Sequence, residues 1–141
     1  MKHHVFGQQV ALAQFGEIFD VIRQVQVEVD RRESPPKYLN FWDEKGVQLL
    51  KDGNGIYIYE SGRLEETVFR YEYQFKNYKE HGIQRMFRNG ILIDYREMSD
   101  GQLDGYSRKF YTNGKLHQEY LIKNGKVLGF QERPLFNNPK V

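Results

Sequence analysis

Glycines recur at fixed offsets through the C-terminal half of this sequence. Gly90 is followed by glycines 11 and 15 positions later, and Gly114 is followed by glycines at the same two offsets. An Asn or Asp precedes the first glycine of each set and the glycine 11 positions later. Because Asn-Gly and Asp-Gly readily take the positive φ angles of a type I′ hairpin turn, each pair predicts a reversal of the chain. The repeated turns therefore predict a fold of serial antiparallel hairpins.

The turns divide the chain into units of similar length. We predict type I′ turns at four dipeptides, separated by runs of strand length with aromatic and polar residues. The predicted turn residues are Asn89, Gly90, Asp100, Gly101, Asn113, Gly114, Asn124 and Gly125.

Two complete units span residues 82–104 and 105–128. A looser unit covers 53–81 and carries five extra residues, so we expect 63–76 to form a longer, bulged strand. Tyr78 stands there in place of a turn glycine, and we expect that turn to differ from type I′. A degenerate unit at 41–52 begins FWDEKGVQLL.

The segment GYSRKFYTNGKLHQEYLIKNGKVLG resembles the bacterial MORN repeat variant, the module of repeat proteins described as YwqK-type antitoxins. FWDEKGVQLLKDGNGIYIY is similar to the W-D-x-x-G and D-G-N-G entry of such proteins. The resemblance covers about two thirds of the chain. It implies a ladder of β-hairpins across 36–133 that acts as a binding scaffold, with an antitoxin-like protein as one form.

Residues 1–35 lie outside the repeat. Phe15, Ile18, Phe19 and Ile22 have helical spacing, and VIRQVQVEVDRR alternates as a half-buried strand does. We predict a short helix and a strand that cap the end of the ladder, with Ser34-Pro35-Pro36 as the boundary. Residues 134–141 are expected to be an irregular tail. The predicted fold is mainly β, a serial antiparallel hairpin meander with a short N-terminal helix and strand.

The amino-acid composition and charge of the chain exclude several classes of function. The chain has no cysteine, which excludes disulfides, Cys-ligated zinc and a thiol nucleophile. A net charge of +2 is far from that of a protein specialised for phosphate backbones. The first residues have no signal-peptide pattern, so we expect a cytoplasmic protein, although removal of an export signal would leave the same sequence.

No motif indicates catalysis or a cofactor. His81 and His117 stand alone, His3 and His4 adjoin near the terminus, and none has the companions of a zinc site. Residues 52–55 lack the remaining ligands of a calcium loop and are better interpreted as a tight turn. With no nucleophile elbow or phosphate-binding loop, we expect a non-enzyme with no metal and no cofactor. A small enzyme with an unrecognised site remains an alternative.

Aromatic residues recur in the predicted strands. Most are expected to pack across strands, yet so many rings on one sheet cannot all be covered, and exposed aromatics beside arginines are typical of interfaces. Tyr71, Tyr73, Phe75, Tyr95 and Tyr120 belong to the returning strands. The candidate interaction surface is Tyr57, Tyr59, Arg85, Phe87, Arg88, Arg96, Tyr106, Arg108, Phe110 and Tyr111.

Two classes of partner follow. The first is an unknown protein, or a second copy of the chain paired through sheet edges. The second is anionic lipid or nucleic acid, bound through turn lysines; it ranks behind the first because lysines at turns usually keep a sheet edge soluble. These lysines are Lys76, Lys79, Lys115, Lys123 and Lys126.

Overall fold

The computed structural model describes residues 25–62 and 67–135, together with the backbone of residues 2–6. It contains one antiparallel sheet in which each strand pairs with the next along the chain. The strands are β1 (Lys2–Phe6), β2 (Gln26–Asp30), β3 (Lys37–Trp42), β4 (Gln48–Lys51), β5 (Asn54–Ser61), β6 (Phe69–Lys76), β7 (Lys79–Arg88), β8 (Ile91–Ser99), β9 (Gln102–Phe110), β10 (Leu116–Lys123) and β11 (Lys126–Glu132). The predicted β meander is confirmed. The predicted N-terminal helix falls in 7–24, outside the described residues.

The N-terminal strands extend the sheet beyond the repeat region. The alternating run at Val25, Val27 and Val29 was predicted to contain a strand, and β2 confirms it. β2 pairs with β3 on one side and with β1 on the other. No strand was predicted at 2–6, where two histidines and a lysine conceal the short apolar pattern.

The core lies on one face of the sheet, which we call the cleft face. Val27, Val29, Phe41 and Leu50 are buried there in one cluster, and Tyr57 packs against it. Val27 pairs with Phe41, and Phe41 with Leu50, so strand alternation places all of these side chains on the same side. Burial of this cluster fixes the registers of β2 to β5, because a slip by one residue would turn every apolar side chain outward.

Three of the four predicted turns are of the expected type. Asn89, Asp100 and Asn124 have φ angles of 47°, 49° and 50°, and each is followed by a glycine with positive φ. Both central residues are therefore left-handed, as type I′ requires.

The prediction of a type I′ turn at Asn113-Gly114 is wrong. Only Gly114 has a positive φ, and its N–H donates to the Tyr111 carbonyl oxygen at 2.8 Å. Tyr111 N–H donates to the Lys115 carbonyl, which closes a longer loop than a two-residue turn. The same pattern occurs in the degenerate unit, where Gly46 N–H donates to the Asp43 carbonyl at 2.9 Å. In both loops the reversal is spread over more residues, so only the glycine is left-handed.

The Tyr78 turn also differs from its prediction. Asn77 and Tyr78 have φ angles of 50° and 67°, so this turn is left-handed at both positions without a glycine. Tyr78 N–H donates to the Gly53 carbonyl at 3.0 Å, and its ring lies where a Cβ on Gly53 would stand. Contact with the neighbouring hairpin therefore holds a tyrosine in a conformation that its side chain disfavours.

The longer strand predicted over 63–76 is wrong in its extent. β6 begins at Phe69, while residues 67 and 68 are not in a strand and 63–66 lie outside the described residues. The predicted bulge is confirmed, since the pairing of β6 with β7 shifts register between Tyr73 and Phe75.

In the described part of the chain, no helix has the length and apolar character needed to cross a membrane.

Candidate interaction site

A cleft of about 580 Å³ opens on the cleft face of the sheet. Two of its walls come from β2 and β6, which stand four strands apart in the sheet order, so the sheet curls around this face. We call it the tyrosine cleft. Its described lining residues are Val27, Val29, Arg31, Tyr38, Tyr57, Tyr59, Ser61, Tyr71 and Tyr73.

The hairpin of β5 and β6 supplies four of the five tyrosines. Tyr57 pairs with Tyr73, and Tyr59 pairs with Tyr71, in an unbroken antiparallel register. Residues two apart on a strand share a face, and directly opposed residues share it too, so all four rings project from one side. The sequence of this hairpin therefore places four tyrosine rings side by side on one face of the sheet, where they form an aromatic platform.

The rings form ordered walls. Tyr38 and Tyr57 stack with centroids 4.9 Å apart. Tyr71 and Tyr73 are nearly parallel, with an interplanar angle of 7° and centroids 6.1 Å apart. Tyr59 is 43% exposed although its ring centroid lies 6.0 Å from that of Tyr71. The aromatic surface is thus held in place by ring contacts while part of it faces solvent.

Two of the cleft tyrosines, Tyr57 and Tyr73, have a raised pKa. Burial raises the pKa of Tyr57, and the neighbouring Tyr38 and Tyr59 raise it further. Burial also raises the pKa of Tyr73, against an opposing effect of Arg96. A phenol with a raised pKa keeps its proton and can donate a hydrogen bond.

Arg31 is the charged residue of the described lining. It is exposed, and within the described residues it forms no ion pair. Its neighbour Arg32 differs, because its Nε lies 3.0 Å and 3.1 Å from the two carboxylate oxygens of Asp30. Among the described residues, the cleft therefore has one guanidinium, that of Arg31, for which no carboxylate partner is present.

The opposite face, which we call the arginine face, has compensated charges. Arg85 Nη2 lies 3.0 Å from Glu72 Oε1, and Arg108 Nε lies 2.6 Å from Glu119 Oε2. The sheet registers place these four residues in one row with Tyr95 between the arginines. The Arg108 guanidinium also lies over the Tyr95 and Tyr106 rings. These arginines cross-link neighbouring strands through carboxylates and rings.

The structure distributes the ten predicted surface residues over several places. Tyr57 and Tyr59 line the cleft, whereas four of the others lie on the arginine face: Arg85, Phe87, Tyr106 and Arg108.

The remaining four lie elsewhere. Arg96 is on the cleft face, 3.3 Å from Asp94 in a geometry that forms no hydrogen bond through Nε. Arg88 is exposed at the end of β7, Phe110 ends β9, and Tyr111 stacks on His117 at 4.3 Å.

Sequence reasoning did not assign Arg31, Tyr38, Tyr71 or Tyr73 to the surface. Two of them could have been assigned from the sequence. A hairpin between β5 and β6 places Tyr71 and Tyr73 opposite Tyr59 and Tyr57, and therefore on the same face.

The turn lysines do not form one cluster. Lys76 pairs with Lys79 and Lys123 with Lys126, each across a turn at the same end of the sheet. Lys115 belongs to the loop at the other end. Lys123 Nζ lies 3.5 Å from Asp104, which compensates part of this charge.

The described ranges hold no group of three or more His, Cys, Asp or Glu side chains suited to a metal ion. His81 Nδ1 lies 3.9 Å from Asp100 Oδ1. A tight turn was predicted over residues 52–55; Asp52 and Gly53 form a turn with positive φ at both residues, and β5 begins at Asn54.

Comparison with protein-family models, with curated proteins and with solved structures finds no match to this chain.

Proposed function

We propose that this protein is a non-catalytic repeat scaffold that binds a segment of another protein in the tyrosine cleft. The observation that carries the proposal is a half-exposed platform of tyrosines on a curled sheet, set against an opposite face whose arginines are already paired. An antitoxin-like protein that neutralises its partner is one form of this function.

The chemistry of the lining favours a protein partner. Tyrosine provides large, rigid and amphipathic contact area at low entropic cost, and it is enriched in protein interfaces. The cleft volume of about 580 Å³ suits a few side chains of an extended segment. The sheet beneath keeps the rings in position before binding, which reduces the ordering cost.

The composition of the same lining supports a role in binding. Its described residues include Ser61 but no histidine or carboxylate that could activate this hydroxyl. The tyrosines with raised pKa are poor bases near neutral pH because they rarely ionise. Binding is therefore the role that these groups can perform.

A peptide selection tests the proposal. A phage-displayed library of random peptides is selected on the purified protein, and enriched peptides are synthesised and titrated. We expect binding to weaken at least about tenfold in the Tyr59→Ala, Tyr71→Ala double variant, because contacts of buried aromatic anchors dominate such interfaces.

Tyr106→Ala serves as the matched control, since this tyrosine lies on the arginine face. Peptides that bind the cleft should bind this variant as they bind the original protein. The proposal is wrong if no peptide is enriched, or if the enriched peptides bind the double variant unchanged.

A further inference from the structure

We infer that the tyrosine cleft selects a partner segment with a carboxylate side chain, held by Arg31, beside an aromatic or apolar side chain that packs on the tyrosines. The inference rests on the proposed function and specifies the chemistry of the partner. It follows from charge, from the paired neighbours of Arg31 and from the arrangement of the rings.

The charged residue in the described lining of the cleft is positive. Arg31 projects into a lining whose other described members are tyrosines, valines and a serine. The described lining therefore contains no Asp or Glu. An incoming carboxylate would gain a charge-assisted hydrogen bond from the guanidinium, whereas an incoming lysine or arginine would be repelled.

Two other arginines near the cleft differ from Arg31, because the chain supplies a carboxylate for each of them. Arg32, one residue later, is bound by Asp30 through both carboxylate oxygens. Arg96, on the same face, has Asp94 at 3.3 Å. Each of these cations has a carboxylate supplied by the chain, and for Arg31 the described residues supply none. A partner carboxylate would therefore complete a pattern that the fold already uses.

Tyrosine hydroxyls add to this preference. Their raised pKa values keep Tyr57 and Tyr73 protonated, so both can donate to an anionic oxygen. A neutral amide on the partner could also accept such bonds, but it would gain less from Arg31. The guanidinium thus discriminates Asp or Glu from Asn or Gln.

The rings explain the apolar or aromatic neighbour. Along β6 the centroids of Phe69, Tyr71 and Tyr73 follow at 6.5 Å and 6.1 Å with small interplanar angles. Such a ladder presents a row of ring edges and faces, on which a further ring packs in an offset or edge-to-face geometry. The carboxylate and this side chain must lie close together in the partner, because Arg31, Tyr71 and Tyr73 line one cleft.

The experiment uses peptides enriched on the original protein. Each Asp or Glu is replaced by Asn or Gln in turn, and both forms are titrated against the original protein and Arg31→Gln. We expect one replacement to weaken binding about fivefold, as for a partly exposed charge-assisted bond. The Arg31→Gln variant should bind the acidic peptide with an affinity reduced by the same factor. It should also bind the acidic peptide and its amide form with equal affinity.

Arg133→Gln is the matched control, because Arg133 is exposed beyond the end of β11 and lies outside the lining. It should bind the acidic peptide as the original protein does. A library selected on Arg31→Glu should return basic peptides in place of acidic ones.

The outcomes separate the two proposals. If no peptide is enriched, or binding ignores the cleft tyrosines, the proposed function itself fails. If peptides bind through the tyrosines but carry no required carboxylate, or bind Arg31→Gln unchanged, the inference about Arg31 is wrong and the scaffold function stands. Equal losses in Arg31→Gln and Arg133→Gln would also overturn it, since a general charge effect would then explain binding.

Discussion

The Glu97 side chain lies over Gly105, where an added Cβ would come within 2.3 Å of its Oε1. That oxygen accepts the N–H of Tyr106 at 2.7 Å. One unit earlier, Gln74 lies over Gly82 in the same way, and its Oε1 accepts the N–H of Ile83 at 2.8 Å. The recurring glycine therefore makes room for a side chain that crosses from the preceding strand and satisfies a backbone donor at a bulge.

Gly105→Ala tests this role of the glycine. Gly105 has a φ of 121°, so a methyl group there meets both backbone strain and the Glu97 carboxylate. We expect the free energy of unfolding to fall by about 2 kcal/mol or more. Gly129→Ala is the control, since Gly129 has no positive φ and its nearest neighbour atom is Leu121 Cβ at 3.9 Å. Equal losses in urea unfolding of the two variants would refute the role given to Glu97.

Gln84 provides a second test of the bulges. This side chain is 1% exposed, and it accepts from Gln74 N–H at 3.0 Å and donates to the Gln74 carbonyl at 2.8 Å. Gln84→Leu leaves both backbone groups without this partner, and we expect a loss of about 3 kcal/mol in the free energy of unfolding. Gln118→Leu removes an exposed hydrogen bond from the Gln118 amide to Glu132 on the edge strand β11, and it should cost less than about 1 kcal/mol.

The raised pKa of Tyr57 predicts a pH dependence of stability. The folded protein holds the phenol proton more tightly than the unfolded chain, whose tyrosines ionise near pH 10. Above that pH the unfolded state binds fewer protons, so the free energy of unfolding must fall as pH rises. Urea unfolding between pH 8 and 11 should show a shallower decline in Tyr57→Phe. An unchanged slope would mean that Tyr57 is not buried as described.

The arginine face should affect stability and leave binding unchanged. Arg108→Ala removes the 2.6 Å contact with Glu119 and the guanidinium over the Tyr106 ring. We expect a loss of about 1 kcal/mol in the free energy of unfolding, because the pair is partly exposed. Peptide affinity should stay within about twofold of the original protein. A large loss of affinity with little loss of stability would place the interface on this face.

Local chemistry made much of the fold predictable. The turn type at Asn89-Gly90 and at Asn124-Gly125 is predicted by the two residues themselves. The strand around Val27 and Val29 is predicted by the alternation of apolar and polar residues. By contrast, the left-handed Tyr78 depends on a contact with Gly53 in another hairpin. No rule for isolated turns contains that information.

The candidate site was harder to predict because it depends on curvature. Aromatic richness is visible in the sequence, and the pairing of Tyr57 with Tyr73 follows once the hairpin is known. The approach of β2 to β6 requires the curl of the whole sheet, and this curl brings Arg31 to the tyrosines. Sequence patterns alone also placed Arg85 and Tyr57 on one surface, although they lie on opposite faces.

The most direct measurement is a two-dimensional NMR titration of protein labelled on its tyrosine rings, with a peptide enriched on the original protein. The ring signals of Tyr38, Tyr57, Tyr59, Tyr71 and Tyr73 should shift with a common saturation curve, while those of Tyr95 and Tyr106 on the arginine face should stay in place. Shifts confined to Tyr95 and Tyr106, with the five cleft tyrosines unmoved, would contradict the assignment of the binding site.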